Sequence, residues 1–311
     1  MPDLTLRMND AEDVGAVLEM SASNGFTRRT RESWDGEAMR AALAFRGGDL
    51  IGAIPFARRS IQIPGAPAFR CGYLSGVVIA EGHRGTGVGT RLLNYLTDAS
   101  VTDGFMLNSF LDDEAYRWYT RAGFTAAVRV RSMIRLQDAS VSYSGESCRI
   151  TDISDGLVDG RLAKHLKRLF DEQFAETGGF EVRDESFWNR RLKYHFYRAF
   201  NKYYLLSSRD ETAYAIASHN LHPRADGQID VLELCARTAT QWQELLNGVQ
   251  RLAGRVGTQA VRLSVVAGSE QEAMLTDAGF TESGRYDILF RAAAGRLVDT
   301  RCWTHVAWDY A

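Results

Sequence analysis

The sequence predicts a mixed α/β (α+β) protein of two tandem domains, each with a mostly antiparallel mixed sheet flanked by helices. Three observations support this prediction. The chain has 311 residues, more than one ordinary domain needs. Strand-like and helix-like segments alternate along both halves. Ala-Gly-Phe closes a predicted helix in each half, at 122–124 and 278–280, which indicates an internal duplication.

The first half is expected to contain one complete domain ending near residue 137. Leu4–Met8 alternates polar and apolar residues, which predicts a strand, and Asn9 or Asp10 can cap the following helix. Gly47 and Gly48 predict the turn of a hairpin. The elements expected after the first strand are a helix at 11–24, a polar helical region at 25–39, hairpin strands at 40–45 and 50–56, a turn at 60–69, a strand at 70–79, a helix from 88 to 99, a strand at 104–111, a helix ending near 122 and a pair of strands over 124–136.

The second half repeats this order after a segment of small polar residues, 138–147, whose composition is typical of a linker. The elements expected there are a strand from 148, helices near 155–174 and 184–194, a hairpin at 203–207 and 213–218, a strand at 228–235, a helix at 241–255, a strand at 259–266 and a helix at 270–277. We therefore predict one domain over 1–137 and another over 148–311.

Composition argues against several classes of function. The formal net charge is −2, from 37 basic and 39 acidic residues, which argues against nucleic acid as a partner. The four cysteines form no C-x-x-C pair, so we expect reduced thiols and no metal site. The first residues lack a basic start followed by an apolar run. We therefore expect no signal peptide, no membrane span and a cytoplasmic protein.

The segment Val77–Thr90 carries the clearest chemical signal. An apolar strand leads into a glycine-rich turn and then into an amphipathic helix, and Arg84, Gly87 and Gly89 have the spacing R-x-x-G-x-G. Glycines allow close approach of the backbone, and a helix N-terminus offers free N–H groups and partial positive charge, so the pattern predicts a phosphate site. An ATP-binding P-loop needs a lysine that is missing here, and a dinucleotide turn needs a glycine where Thr90 stands.

The block Val77–Leu96 resembles the acetyl-CoA turn of the GNAT N-acetyltransferases. A second family motif, A-x-x-x-Y-x-x-x-G-F, is matched by Ala115, Tyr119, Gly123 and Phe124. The resemblance implies two tandem GNAT-like domains, with the acetyltransferase at 1–137. The copy at 148–311 is expected to be degenerate. Its segment 235–242 contains no glycine, and Leu275 stands at the position that Tyr119 occupies in the first copy.

The resemblance further implies acetyl-CoA as co-substrate, no metal, and a primary amine of a small molecule as acceptor. Cofactor binding is assigned to Val77, Val78, Ile79, Arg84, Gly85, Thr86, Gly87, Val88, Gly89 and Thr90. Tyr119 is the expected general acid for the leaving thiolate, because a phenol ordinarily has a pKa of about 10 and a thiol one of about 8.5. Glu81 and His83 lie beside the turn and are the candidates for the general base.

Two other functions stay open at the level of sequence. One is a non-catalytic acyl-CoA sensor, against which Tyr119 counts. The other is a tandem-GNAT aminoacyl transferase that uses charged tRNA, against which the intact turn and the net charge count. The sequence identifies neither the acceptor amine nor the acyl-chain preference, and it leaves the oligomeric state open between a monomer and a homodimer.

Overall fold

The computed structural model describes residues 3–24, 31–36, 38–63, 65–99, 102–110, 114–137, 148–154, 160–184, 187–188, 201–221 and 227–293. The predicted linker at 138–147 and most of the predicted helix at 184–194 lie outside these residues. The chain divides into two compact units. Unit 1 consists of Met1–Ala127 with Asp287–Arg301, and unit 2 of Val128–Tyr286 with Cys302–Ala311.

Unit 1 contains a mixed sheet with helices, in agreement with the predicted fold class. Its elements are β1 (Leu4–Met8), α1 (Val14–Ser23), α2 (Arg31–Gly36), β2 (Met39–Arg46), β3 (Asp49–Ile63), β4 (Ala66–Leu74), β5 (Val78–Ile79), α3 (Val88–Ala99), β6 (Gly104–Phe110), α4 (Glu114–Arg121), the start of β7 (Thr125–Leu136) and the end of β13 (Thr281–Ala292). The strand order is β1-β2-β3-β4-β6-β13. Strands β1 to β4 are antiparallel neighbours, and β4 runs parallel to β6.

Helix α3 packs on this sheet through one apolar face. Val88, Leu92, Leu93 and Leu96 recur at helical spacing and are buried. They belong to one core cluster with residues of β3 and β6, among them Phe56 and Phe105. This packing fixes the N-terminal end of α3, where the glycine turn is attached.

The strand predicted over 70–79 is interrupted in the structure. Strand β4 ends at Leu74 and β5 begins at Val78, and Gly76 between them has φ 139°, a conformation that favours glycine. Both strands pair with β3, but the pairing of β4 with β6 extends only over 71–73. Among the described residues, β5 therefore pairs with a strand on one edge only. The turn predicted over 60–69 is also shorter than expected, because β3 extends to Ile63 and β4 begins at Ala66.

Unit 2 repeats the architecture of unit 1. Its elements are the rest of β7, β8 (Cys148–Asp152), α5 (Gly160–Gln173), β9 (Asn201–Ser208), β10 (Tyr214–Asn220), β11 (Gln228–Cys235), α6 (Ala239–Val256), β12 (Ala260–Val266), α7 (Glu270–Asp277) and the start of β13. The strand order is β7-β12-β11-β10-β9-β8. Strands β11 and β12 are parallel, as β4 and β6 are in unit 1.

The duplication extends to individual hydrogen bonds. The N–H of Phe124 donates to the carbonyl of Tyr119 after α4, and the N–H of Phe280 donates to the carbonyl of Leu275 after α7, at 3.1 and 2.9 Å. The glycine before each phenylalanine has a positive φ, 88° and 82° respectively. The two copies therefore end their last helix with the same turn.

Each unit also contains a strand segment from the other half of the chain. Strand β7 passes from unit 1 into unit 2 at Val128 and pairs there with β12. Strand β13 passes into unit 1 at Asp287 and lies there beside β6. The compact units therefore divide within strands. The boundaries at 137 and 148 stay a prediction about the two copies in the sequence.

The described cysteines are buried in the cores. Cys71, Cys148 and Cys235 form no disulfide within the described part of the chain. Burial raises the pKa of Cys148 and of Cys235, which disfavours the reactive thiolate. Cys302 lies outside the described residues.

Candidate acyl-transfer site

The glycine turn of unit 1 joins β5 to α3. After Ile79 the chain forms a short 3₁₀ helix, Glu81–His83, and then an exposed turn that ends where α3 begins at Val88. Gly85 and Gly87 have φ values of 71° and 81°. L-residues with a side chain are strained in this region, so the backbone of the turn itself requires these two glycines.

The turn presents backbone donors at the positive end of a helix. The N–H groups of Gly85, Thr86 and Gly87 take part in no hydrogen bond among the described residues. The carbonyl of Gly87 accepts from the N–H of Arg91 at 3.1 Å, so the helical bonding pattern of α3 starts at the turn. The first N–H groups of a helix have no intrahelical partner. Free donors and the helix dipole together suit an anion such as a pyrophosphate.

Short local hydrogen bonds hold the turn in shape. The hydroxyl of Thr86 donates to the carbonyl of His83 at 2.7 Å, and the N–H of His83 donates to the carbonyl of Ala80 at 2.8 Å. The N–H of Arg84 donates to the carbonyl of Glu81 at 3.2 Å. These bonds, all within the chain, fix the shape of the turn, and a fixed turn lowers the ordering cost of binding a ligand.

Gly89 and Thr90 lie in the first turn of α3, against α4. A Cβ at Gly89 would lie 3.5 Å from Trp118 Cζ2, an ordinary contact, so the free chain does not itself require glycine there. The indole N–H of Trp118 donates to Thr90 Oγ1 at 3.1 Å. This bond connects α3 to the helix that carries Tyr119.

The side chain of Arg84 lies across the open edge of β5. Its Nε donates to the carbonyl of Ile79 at 3.2 Å, and one of its terminal nitrogens donates to Oδ1 of Asn24 at 2.7 Å. Asn24 is the residue that ends α1. The predicted cofactor turn is thus connected both to the strand before it and to the end of α1.

The backbone of β5 has one paired side and one open side. The N–H of Ala80 donates to the carbonyl of Ile51 in β3, at 2.9 Å. Because backbone groups alternate in direction along an extended strand, those of Val78 also face β3. The backbone groups of Val77 and Ile79 face the opposite side, away from β3.

Tyr119 is on α4 and is 6% exposed. Its ring makes edge contacts with the rings of Trp118 and Phe124, with centroids 4.8 and 5.5 Å apart. It belongs to the same core cluster as Val88, the first residue of α3. The structure therefore brings the predicted acid and the predicted cofactor turn onto one hydrophobic cluster.

The two candidates for the general base differ in their surroundings. Glu81 is exposed in the 3₁₀ helix. Nδ1 of His83 lies 3.2 Å from a terminal nitrogen of Arg46. A guanidinium can only donate, so Nδ1 accepts, and the ring proton of a neutral His83 is then on Nε2. His83 consequently lacks a free basic nitrogen, which favours Glu81.

The corresponding place in unit 2 is built differently. The link between β11 and α6 is only 236–238, compared with 80–87 between β5 and α3. The side chain of Thr238 accepts from the N–H of Gln241 at 3.2 Å and caps α6. Leu275 is buried in α7 at the position of Tyr119. Unit 2 thus has a short, self-capped link in place of a glycine turn.

A cleft of about 1090 Å³ lies in unit 2 beside α6 and α7. Its lining combines two arginines, Arg135 and Arg209, with two acids, Glu244 and Asp277. The backbone N–H of Arg209 donates to Glu244 at 3.1 Å. Opposite charges balance within this cleft, so its charge does not favour a polyanion.

Two further features bear on the predicted chemistry. Within the described ranges, no helix is both long enough and apolar enough to cross a membrane. The same residues contain no cluster of three or more His, Cys, Asp or Glu side chains that could hold a metal ion.

Comparison with known proteins agrees with this geometry. A profile described as the acetyltransferase (GNAT) family matches residues 16–124, which include α1, the glycine turn and all of α4. Residues 16–124 belong to the GNAT family. No curated protein matches the sequence. The GNAT segment identified from the two motifs is therefore confirmed.

Solved structures extend the similarity to nearly the whole fold. A GCN5-related N-acetyltransferase from Anabaena variabilis is 14% identical with a TM-score of 0.70, over 94% of this chain and 73% of that one. A tandem GNAT protein from the clavulanic acid biosynthesis pathway is 13% identical with a TM-score of 0.61, over 95% of this chain and 100% of that one. Eis1 from Mycobacterium abscessus is 16% identical with a TM-score of 0.61, over 94% and 74%. The predicted tandem GNAT fold is confirmed.

The contacts around the GNAT turn include residues that the sequence analysis did not single out. Asn24, Arg46 and Trp118 contact Arg84, His83 and Thr90, respectively. Each of the three is polar or aromatic and lies outside the R-x-x-G-x-G motif, so the motif alone gives no signal for them. Only the packing of α1, β2 and α4 reveals their contacts.

Proposed function

We propose that unit 1 catalyses transfer of an acetyl group from acetyl-CoA to a primary amine of a small molecule, by direct attack. One observation carries this proposal. An exposed turn with unused N–H donors follows directly after a strand with an open edge, in a segment that belongs to the GNAT family. These two features suit the pyrophosphate and the extended amide chain of one ligand.

The turn residues hold the pyrophosphate in this proposal. The N–H groups of Gly85, Thr86 and Gly87 donate to the phosphate oxygens, together with those of the first turn of α3 over 88–90. Because Gly85 and Gly87 are glycines, the backbone of the turn adopts its positive φ values without strain. The Arg84 side chain adds positive charge beside the turn.

The open edge of β5 binds the amide chain as an added strand. The outward-facing backbone groups of Val77 and Ile79 provide the donors and acceptors. One N–H of this edge polarises the thioester carbonyl, as an oxyanion donor does. Val78 contributes by packing, since its side chain is 2% exposed and its backbone faces β3.

Tyr119 acts as general acid. The amine nitrogen forms a bond to the acetyl carbon, the carbon–sulfur bond breaks, and the thiolate takes the phenolic proton. Glu81 accepts the proton that the attacking amine loses, directly or through water. Glu81 then releases its proton to solvent and Tyr119 takes one up from solvent, so the protons balance over one turnover.

The first experiment titrates the purified chain with acetyl-CoA by calorimetry and then assays thiol release with a panel of amines. We expect one site per chain and turnover with at least one amine. Tyr119→Phe is expected to lower kcat about 10²-fold, the usual size of a general acid–base contribution. Tyr95→Phe on α3 is the matched control, because Tyr95 packs partly buried against the same core cluster.

The outcomes separate the functional classes. Binding without turnover for any amine would support an acyl-CoA sensor. Two sites per chain would contradict the degenerate second copy. Absence of binding would overturn the proposed function.

A further inference from the structure

The end of β13 makes two polar contacts with α4 and with the residue that follows it. Asp287 is fully buried, and the hydroxyl of Tyr116 on α4 donates to its Oδ2 at 3.1 Å. A terminal nitrogen of Arg291 donates to the carbonyl of Ala122 at 2.8 Å, just after α4 ends. Both ends of α4 are therefore bonded to a strand from the far end of the sequence.

Apolar contacts fix this part of β13 in unit 1. Leu289 belongs to the core cluster that contains Tyr119. The ring of Phe290 makes an edge contact with the ring of Phe69, with centroids 5.7 Å apart. A Cβ on Gly104 would lie 2.7 Å from the Phe290 ring, so β6 requires glycine at this point. Asp287 and Arg291 thus lie on a strand that is packed into unit 1.

Unit 2 contains a counterpart of the Tyr116–Asp287 contact with different chemistry. Arg131 takes the place in β7 that Asp287 takes in β13, and Glu272 takes the place in α7 that Tyr116 takes in α4. Arg131 and Glu272 form an ion pair at 2.5 Å. A strand-to-helix polar bond is therefore a repeated feature of the fold.

The two versions differ in their exposure to water. The Arg131 side chain is 41% exposed, whereas Asp287 is 0% exposed. A buried hydrogen bond keeps its geometry better and is costlier to break than an exposed pair. The buried version lies in the unit that also has the glycine turn and Tyr119.

We propose that Asp287 and Tyr116 form a positioning pair that orients α4, and with it Tyr119, for proton transfer. The inference rests on the proposed function. Tyr116 and Tyr119 are three residues apart on α4 and therefore lie on neighbouring positions of one helix face. Fixing Tyr116 limits rotation of α4 about its axis and so fixes the position of Tyr119. This position matters, because misplacement of an acid by a fraction of an ångström weakens catalysis. The C-terminal half thereby contributes to the site through β13.

The test combines Tyr116→Phe with Tyr119→Phe in a double-mutant cycle. Tyr116→Phe is expected to lower kcat about tenfold while the Kd of acetyl-CoA, measured by calorimetry, stays within about twofold. In the Tyr119→Phe background the same change is expected to have no further effect on kcat, because it acts through Tyr119. Asp287→Asn keeps an oxygen acceptor for the Tyr116 hydroxyl and is expected to retain most of the turnover.

Ser283→Ala is the control on the same strand. Ser283 is exposed, lies in unit 2 and donates to the carbonyl of Ser132 at 3.1 Å, away from α4. Its kcat is expected to equal that of the wild type.

Each other outcome contradicts the proposal in its own way. Independent, multiplicative losses in the double variant would show that Tyr116 does not act through Tyr119. Loss of acetyl-CoA binding in Tyr116→Phe would make the pair merely structural. Full turnover in Tyr119→Phe would show that Tyr119 is not the general acid. This result would overturn the proposed mechanism itself, whatever the Tyr116 variants show.

Discussion

The guanidinium of Arg84 donates to the carbonyl oxygen of Ile79, 3.2 Å away, on the side of β5 that faces away from β3. The same guanidinium donates to Asn24 at the end of α1. Arg84 therefore connects three parts of the GNAT segment: its open strand, its glycine turn and its first helix. An acetyl-CoA chain pairing with β5 would meet this side chain.

Substitution of Arg84 tests this connection. We expect Arg84→Ala to raise the Kd of acetyl-CoA about tenfold, the size of one charge-assisted hydrogen bond, and to flatten its salt dependence. Arg91→Ala is the control, because Arg91 is also an exposed arginine near the glycine turn, at the start of α3. Equal losses in both variants would assign the effect to general charge instead of the Ile79 contact.

The conformation of Gly87 leads to a second prediction. Its φ of 81° disfavours any side chain, although a Cβ there would meet no atom within 4 Å. Gly87→Ala should therefore reshape the turn through backbone strain alone, at about 1–2 kcal/mol, and weaken acetyl-CoA binding about tenfold. The free energy of unfolding should fall by no more than this strain, so the fold itself should stay intact.

Gly82→Ala is the matched control for Gly87→Ala. Gly82 precedes the turn, lacks a positive φ and also has open space at its Cβ. Its Kd for acetyl-CoA should match that of the wild type. Equal weakening in the two variants would show that the turn excludes side chains for steric reasons that involve the ligand.

The glycine turn could be predicted from the sequence, whereas the contacts between distant segments could not. Gly85 and Gly87 are required by the φ values of one short turn, so the sequence carries their signal directly. The contact of Arg84 with Asn24 depends on how α1 packs, which no local pattern encodes. Similarly, the place of Asp287 in unit 1 was not predicted, because a sequence pattern does not specify which strand becomes the neighbour of another.

Unit 2 contains a buried ion pair between Arg183 and Glu233 of β11. Arg183 donates to Glu233 Oε2 through two nitrogens, at 3.0 and 2.6 Å, and both side chains are inaccessible to solvent. The rings of Phe170 and Phe187 lie against the guanidinium, 4.2 and 4.1 Å from its central carbon. The Tyr214 hydroxyl donates to the other oxygen of Glu233. Burial and the Glu233 charge raise the pKa of Tyr214 well above its usual value, so it remains a donor.

Breaking this pair should destabilise the fold strongly. Glu233→Gln leaves the Arg183 charge buried without its counter-charge, which is expected to cost about 3–5 kcal/mol in urea unfolding. Glu244→Gln is the control, because Glu244 is half-buried and its substitute still accepts from the N–H of Arg209. A loss below about 1 kcal/mol for Glu233→Gln would mean that water reaches the pair.

The Arg7–Asp13 pair predicts a pH dependence of stability. Hydrogen bonds from Arg7 at 2.6 and 2.7 Å lower the pKa of Asp13 below its ordinary value of 3.8. A carboxyl with a lowered pKa contributes stability that is fully present above its unfolded value and is lost as pH falls through the folded value.

Because Arg7 is 39% exposed, solvent screening keeps the contribution below about 1 kcal/mol. Asp13→Asn should therefore be slightly less stable than the wild type at pH 7 in urea unfolding, and the difference should shrink as the pH falls through the lowered folded pKa of Asp13. Asp10→Asn should show no such difference, since Asp10 is 81% exposed and 3.4 Å from Arg7. A stability difference for Asp13→Asn that persists at low pH would show that the side chain acts through packing and not through its charge.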